Sequence, residues 1–485
     1  MKLHSLLRDV PTLQVRGDTA REIHQIQFDS RKVTDGALFV ALRGTQVDGH
    51  EFIDKAEKNG AAVIVAERLP EYLNPQVTYL QVASSGWALG QMASNFYGRP
   101  SEKLYLVGVT GTNGKTTTVN LLYDLFEDLG YKCGLVSTVG NKIAGEATPA
   151  THTTPDALAA NELLARMVEE QCDYVFMEVS SHAVHQQRIA GLRFTGAIFT
   201  NITHDHLDYH GSFRNYLLAK KAFFDQLPPS AFALTNADDR NGEVMVQNTR
   251  ARIYRYGLRK MADFKARLLD NALEGLHLEI GQTEFFGRLI GEFNAYNLLA
   301  VYAAACLLEQ DSMEVLTHLS RLKAAEGRFD TVMAPGGTVT GIVDYAHSPD
   351  ALEKVLATLH KLRKGNTRIL TVVGCGGDRD RSKRPEMARV AAAYSDQLIL
   401  TSDNPRTEDP AAIIREMVEG VPPDQKSKVL ENPARREAIR TACRLANAGD
   451  VVLIAGKGHE KYQEIQGEKL PFDDKEELRK AFAET

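Results

Sequence analysis

Gly108-Val-Thr-Gly111-Thr-Asn-Gly114-Lys115-Thr116-Thr117-Thr118 follows the apolar run Leu104–Val109 and precedes a helical pattern carrying Leu121, Leu122, Leu125 and Phe126. Strand, glycine turn, helix: this order aims backbone N–H groups and a helix N-terminus at one point, an arrangement suited to a phosphate. Lys115 is expected to reach the terminal phosphates and the Thr116 hydroxyl to hold Mg²⁺. The usual phosphate-loop spacing has glycine at position 109. This chain has Val109 there, with glycines at 108 and 111 instead.

Working outward, 485 residues exceed one core, and three domains are the natural division. Hydrophobic residues make up 43% and charged residues 25%, the balance of an ordinary soluble globular protein. A net charge of −6 offers no electrostatic case for nucleic acid. The five cysteines (133, 172, 306, 375, 443) are scattered without paired spacing, which argues against disulfides or a thiolate zinc site and fits a reducing cytoplasm. Met1–Val10 lacks the apolar core of a leader. The longest apolar run, residues 298–308, is too short to span a bilayer.

Residues 1–99 alternate β-rich runs (37–42, 61–66) with helical patterns, and Tyr97-Gly98-Arg99-Pro100 reads as a linker. From 100 to 330, apolar runs and helical stretches alternate as βα units, predicting a mostly parallel sheet. Ligands of such sheets collect at strand C-termini, so the polar residues that end the other strands matter. Tyr174–Met177 ends in Glu178, a carboxylate suited to a magnesium ion beside the phosphate loop. Ala197–Thr200 runs into Asn201-Ile-Thr-His204-Asp205-His206-Leu-Asp208-Tyr-His210, read either as a polar loop or as metal and phosphate contacts. Lys220 falls in the middle of an apolar helical face formed by positions 213, 216, 217, 223, 224 and 227. Two readings stay open for it. Its stem lies along the face with the ammonium in water, or the amine is desolvated and neutral, able to take up CO₂ as a carbamate.

Asn294 opens an Ala/Leu-rich helix, either as its cap or as a ligand contact, and Arg328 offers a guanidinium for phosphate. From 331 a second βα series begins, with apolar runs at 339–343, 369–373, 397–400 and 451–455. These lead respectively to Asp344 and His347; to a glycine-rich loop with Arg379, Arg381, Lys383 and Arg384, read as an anion site; to Asp403-Asn404-Pro405-Arg406; and to Gly456-Lys-Gly-His-Glu460. They form a second binding surface, expected to face the first across a cleft.

These residues together resemble the Mur ligases. The resemblance rests on Asp29-Ser-Arg31, Thr110–Thr117, Glu178-Val-Ser-Ser-His182, Asp205-His206-Leu-Asp208, Asn294, Asp344-Tyr-Ala-His347, Gly376–Asp380 and Asp403–Arg406, spread over nearly the whole chain. The phosphate loop alone would also admit folylpolyglutamate synthetases; Asp403–Arg406 with Gly456–Glu460 is the specific part. The resemblance implies an α/β protein of three domains: an N-terminal UDP-binding domain (1–99), a central P-loop-type ATPase domain with a mostly parallel sheet (100–330), and a C-terminal Rossmann-like domain that binds the amino acid (331–485). It implies a cytoplasmic, monomeric, ATP-dependent ligase of peptidoglycan synthesis, with small-molecule substrates and neither nucleic acid nor membrane as partner. Meso-diaminopimelate would be added to UDP-N-acetylmuramoyl-L-alanyl-D-glutamate. Phe28, Ser30, Thr45, Gln46 and Val47 would hold the uridine end of that substrate, and Thr153, Thr154, Ser180, Gln186 and Arg188 its muramoyl-dipeptide part. Related enzymes often carry Asn where this chain has His152. Gly111, Thr112, Asn113, Gly114, Lys115, Thr116, Thr117, Asn294, Arg328, Asp344 and His347 would contact ATP. Thr116 and Glu178 would hold one Mg²⁺, and His206 with carbamylated Lys220 a second; Lys115, Lys220 and His206 are the implied catalytic residues. Arg379, Asp403, Asn404, Pro405, Arg406, Gly456 and Glu460 would bind diaminopimelate.

Overall fold

The computed structural model describes residues 1–44, 47–148, 153–203 and 205–484, with Asp208 described in its backbone alone. Contacts divide the chain into two units: residues 1–115 with 122–256, and residues 116–121 with 257–485.

The first unit opens with a five-stranded sheet in the order Thr12–Arg16, Thr78–Val82, Val63–Ala66, Leu38–Val40, Ile26–Gln27. Its first pair is antiparallel and the rest parallel. Both faces are covered, which is why runs such as Val63–Ala66 are apolar without alternation. Helix Ser85–Phe96, capped by the Ser84 hydroxyl accepting from the Trp87 N–H, leads out of it.

A second sheet follows. Its parallel strands run in the order Arg252–Gly257, Phe232–Asn236, Gly196–Phe199, Tyr105–Thr110, Tyr174–Glu178, Cys133–Ser137. The antiparallel pair Gly140–Ile143 and Glu146–Thr148 extends its edge. Tyr105–Thr110 is central, with Leu106, Val107 and Val109 at 0% exposure. Two features of the 108–118 stretch now have physical reasons. Val109 interrupts the usual glycine spacing because position 109 still lies inside the strand. Gly108 serves packing rather than the phosphate turn: a Cβ there would come within 2.5 Å of Phe223 Cζ and 2.9 Å of Phe194 Cε1. The missing side chain lets helix Phe213–Asp225 settle onto the strand.

In the second unit, the stretch predicted as continuous βα units instead holds an antiparallel meander, Phe264–Ala272, Gly275–Ile280 and Thr283–Gly287. Every second residue of Gly275–Ile280 is buried, the pattern of a sheet with one covered face. Helix Glu292–Leu307 packs beside it. Gly291, not Asn294, is the N-cap of that helix, and the Asn294 amide donates to the Ile290 carbonyl at 2.8 Å.

The unit then forms a six-stranded sheet ordered Asp330–Met333, Thr340–Asp344, Val451–Ala455, Ile369–Cys375, Gln397–Ser402, Val429–Asn432, parallel except for its first pair. Helices Pro349–Leu362, Lys383–Tyr394 and Pro410–Val418 cover one face; Arg435–Leu445 and Asp474–Glu484 cover the other. The four predicted strands are present, and their C-termini at Asp344, Cys375, Ser402 and Ala455 share one edge.

Replacing Gly108 by Val should overpack the strand–helix contact and destabilise the chain by about 1–3 kcal/mol. Thermal unfolding followed by circular dichroism checks this; an unchanged melting temperature contradicts it.

Candidate active site

The turn Gly111–Gly114 is held in shape by the end of the neighbouring strand. Gly111 has φ +156°, and a Cβ there would fall 1.9 Å from Thr200 Oγ1. The Thr112 N–H donates to the Asn201 carbonyl at 2.8 Å and the Asn113 N–H to Asn201 Oδ1 at 3.0 Å. Thr200 Oγ1 and Asn201 Nδ2 both donate to the Asn113 carbonyl. Gly114, with φ +89°, caps helix Lys115–Asp128, so the positive end of the helix opens at the turn. Lys115 Nζ curls back to the carbonyls of Gly111 and Thr112, both at 2.8 Å.

Two predicted metal ligands are fully enclosed. Glu178 is 0% exposed, and its Oε1 accepts from the Thr138 N–H at 2.8 Å. That excludes a solvated strand-end glutamate. Lys220 is 1% exposed, its Nζ donates to the Gly111 carbonyl at 2.7 Å, and it stands 4.7 Å from the centroid of the Tyr216 ring. The snorkelling alternative therefore fails for Lys220. Burial first, then the nearby Lys115 charge, pushes its amine well below the ordinary lysine range. Lys221 is also buried, but Asp225 pairs with it at 2.6 Å. His206 is half exposed, has φ +52°, lies 3.5 Å from Asp205 and packs edge-on against His182. His206 and Lys220 both border Tyr216. Thr45, Gln46, His152 and His204, and the side chain of Asp208, lie outside the described residues.

The residues expected to grip the muramoyl dipeptide form one network. Thr154 Oγ1 donates to the Glu178 carbonyl and accepts from the Ser180 N–H. Arg188 donates to Gln186 Oε1 and to the Thr154 carbonyl, and Thr153 Oγ1 accepts from Thr138 Oγ1. Tyr209, absent from the predicted set, ties Gln186 to His185 through its hydroxyl. A cavity of about 560 Å³ lined by His185, Gln187, Tyr209 and Asn215, among others, adjoins this network. After strand Ile26–Gln27, Ser30 opens a short 3-10 turn and is buried, with Asn59 donating to its carbonyl. Phe28 is partly buried and Val47 half exposed.

In the second unit Arg328 donates to Thr116 Oγ1 at 3.2 Å and lies over the Tyr345 ring, while its Nε is buried with no partner. Asp344 accepts from the N–H groups of Phe329 and Ala346; burial pushes its carboxyl up, against the pull of Arg328. His347 is exposed and adjoins Tyr345. Asn294 bonds within its own helix to Asn297, and the ring contact Phe293–Phe329 brings that helix start beside Arg328.

The loops expected to bind the amino acid form a connected charge network. Lys457, fully buried, donates to Asn404 Oδ1 at 2.9 Å and Glu460 Oε2 at 3.1 Å, and lies 3.6 Å from Asp403. Asn404 donates to Glu460 at 2.8 Å. Arg406, left-handed at φ +52°, donates through Nη1 to the Gly377 carbonyl, with Glu464 3.3 Å from its Nε. Asp403 Oδ1 is buried without a hydrogen-bond partner, as are Ser402 Oγ and His459 Nδ1. Gly456 is required beneath Asp403, since a Cβ would meet its Oδ2 at 2.9 Å. One prediction needs correction. The basic loop is not a free anion site, because Arg384 is fully buried against Glu408 and Glu416, Arg381 pairs with Glu408, and Lys383 donates to the His347 carbonyl. Arg379 alone of that group is exposed with no recorded partner among the described residues.

Comparison with known proteins agrees with this arrangement. Three family models match in succession: the Mur ligase family catalytic domain over residues 22–97, the Mur ligase middle domain over 109–305, and the Mur ligase glutamate ligase domain over 327–458. A UDP-N-acetylmuramoyl-L-alanyl-D-glutamate--2,6-diaminopimelate ligase of Phocaeicola vulgatus is 54% identical over 483 residues, covering 100% of both chains. This chain belongs to the Mur ligase family. The ligase of the same name from Geobacillus kaustophilus is 44% identical over 495 residues, again covering 100% of both. A solved structure of a protein so named superposes with a TM-score of 0.72 at 33% identity, covering 100% of this chain and 99% of the other.

The residues missed from sequence are those that hold others. Asn201 stands in the quoted 201–210 loop and Lys457 between two glycines, and both were visible as polar residues at strand ends. Their partners were not.

His459 carries a pH consequence. Burial first, then the charges of Arg328, Lys461, Lys457 and His347, push it down from 6.5 to about 3. As pH falls through that window the unfolded chain takes a proton that the folded chain refuses, so stability is lost. Between pH 7 and pH 4.5 this Mur ligase should lose more stability than its His459→Gln variant in denaturant titrations. Equal losses contradict the assignment.

Proposed function

We propose that the chain is the ATP-dependent ligase that joins meso-diaminopimelate to the D-glutamate γ-carboxylate of UDP-N-acetylmuramoyl-L-alanyl-D-glutamate, acting as a cytoplasmic monomer in peptidoglycan precursor synthesis. Buried Asp403 and Asn404 with partly buried Arg406 and Glu460, a set in which Asp403 Oδ1 accepts no hydrogen bond, are the observation that carries this reading. The set supplies acceptors for the ammonium and a guanidinium for the carboxylate of a second amino-acid head, which diaminopimelate has and lysine lacks. The full-length likeness to ligases of that name supports it. We assign the domains to residues 1–99, 100–330 and 331–485.

An amide does not form from a carboxylate and an amine in water without activation. In the proposed course a γ-carboxylate oxygen attacks the γ-phosphorus of ATP, the bond to the bridging oxygen breaks, and ADP leaves with that electron pair. The free amine of diaminopimelate then adds to the acyl carbon. The tetrahedral adduct loses a proton and expels phosphate. Catalysis of this kind is positioning and charge neutralisation. Lys115 exchanges its loop carbonyls for the β- and γ-phosphate oxygens, and Arg328 adds a second positive charge. The Thr154, Ser180, Gln186 and Arg188 network orients the dipeptide.

The donor set fits Mg²⁺, a hard cation that takes one or two protein oxygens and fills its remaining positions from phosphates and water. Enclosed Glu178 with Thr116 would hold one ion; His206 with Lys220 as a carbamate would hold the other. Bound there, the ions would neutralise phosphate charge. A neutral, buried amine is the form of lysine that adds CO₂, releasing a proton and replacing a cation that would repel metal with a carboxylate that attracts it.

A coupled phosphate-release assay tests the assignment. Release should require both the UDP-linked dipeptide and diaminopimelate, with kcat/KM for L-lysine lower by about 10³-fold or more, because lysine offers no second carboxylate to the Arg406 guanidinium. Comparable kinetics with lysine would falsify the substrate. Lys220→Ala should abolish turnover, with bicarbonate or short carboxylates restoring part of it. Full activity in that variant removes the carbamate.

A further inference from the structure

We infer that Arg435, clamped by Asp474, is a positioning residue that sets the spacing of the two amino-acid-binding loops. The inference rests on the reading of Asp403–Arg406 and Gly456–Glu460 as the amino-acid site. Strands Gln397–Ser402 and Val451–Ala455 launch these loops but are not neighbours, because Ile369–Cys375 lies between them. No sheet hydrogen bond therefore ties one exit point to the other.

Arg435 does so directly. Its Nη1 donates to the Ser402 carbonyl at 3.3 Å and its Nη2 to the Ala455 carbonyl at 3.0 Å. Those carbonyls belong to the residues immediately before Asp403 and Gly456. The other edge of the guanidinium is held in a fork by Asp474, Nε to Oδ1 and Nη2 to Oδ2, both at 2.7 Å. Both side chains are 0% exposed.

A planar fork with several fixed donors can hold two carbonyls and a carboxylate at once, where an ammonium holds a point. Each partner opens a helix, Arg435–Leu445 and Asp474–Glu484. The clamp thus transfers the rigidity of two helices to two loops. Asp403 and Glu460 also lie near enough to stabilise the Arg435 charge, so the same residue sits as a fixed cation behind the acceptors for the substrate ammonium. A merely structural ion pair would fix the helices; this one also fixes the distance between the loop exits at Ser402 and Ala455.

The test compares Arg435→Lys and Asp474→Asn with the unaltered enzyme, using protein shown to be folded by circular dichroism. KM is measured separately for the amino acid, ATP and the UDP-linked dipeptide. Arg435→Lys should raise KM for the amino acid at least tenfold, with the other two KM values within twofold. Asp474→Asn, which keeps both carbonyl ties and a neutral acceptor, should raise it about threefold and serves as the decisive variant if the lysine protein does not fold. Folded variants with an unaltered amino-acid KM, or with all three KM values raised alike, overturn the inference. A different preferred amino acid in the unaltered enzyme would change the substrate while leaving the same comparison to be made with that amino acid. An unaltered protein inactive with every amino acid overturns both readings.

Discussion

A lysine amine at 1% exposure, bonded to a main-chain carbonyl, is the constraint on which the phosphate-loop half of this molecule depends. Taking an ammonium out of water without a carboxylate partner is costly, and burial pushes this amine well below the ordinary lysine range. The sequence arranges this from two sides. Helix Phe213–Asp225 puts Lys220 within its apolar face, and Gly108 removes the one side chain that would keep Phe223 off the central strand. With the helix pressed down, Lys220 Nζ reaches Gly111, the first residue of the turn. The adjacent Lys221 shows the ordinary alternative, a buried stem whose ammonium is answered by Asp225.

The half proposed to bind the amino acid follows the opposite logic. The side chains of Lys457, Arg435 and Arg384 are all at 0% exposure, yet each meets carboxylates: Asp403 and Glu460, Asp474, and Glu408 with Glu416. Removing one member of such a set leaves an uncompensated buried charge, so the loops keep their geometry without ligand. Asp403 Oδ1, 3.6 Å from the Lys457 amine, accepts no hydrogen bond and is the acceptor proposed for the substrate ammonium.

Much of this was legible in the sequence where a polar residue interrupts an apolar pattern. Glu178, Lys220, Asp344 and Asp403 are of that kind, and all four are buried. Strand-and-helix alternation likewise located the mostly parallel sheets. What escaped depends on partners distant in the chain. Arg384 looked like an anion ligand because Glu408 and Glu416 come from a later segment, and Arg435 gave no sign that Asp474 would meet it. The meander 264–287 was read as part of a βα series because its half-covered strands carry many polar residues and weak apolar runs. Gly108 was counted with the turn because a glycine that makes room for a helix looks the same in sequence as one that bends a loop.

The central claim is that desolvation keeps Lys220 in the form that binds CO₂. Carbon-13 NMR of the protein in ¹³C-labelled bicarbonate tests it without reference to turnover. The account predicts a carbamate resonance that is present in the unaltered protein and missing from a folded Lys220→Met variant. A fully active enzyme with no such resonance, or one that persists in the variant, would contradict it.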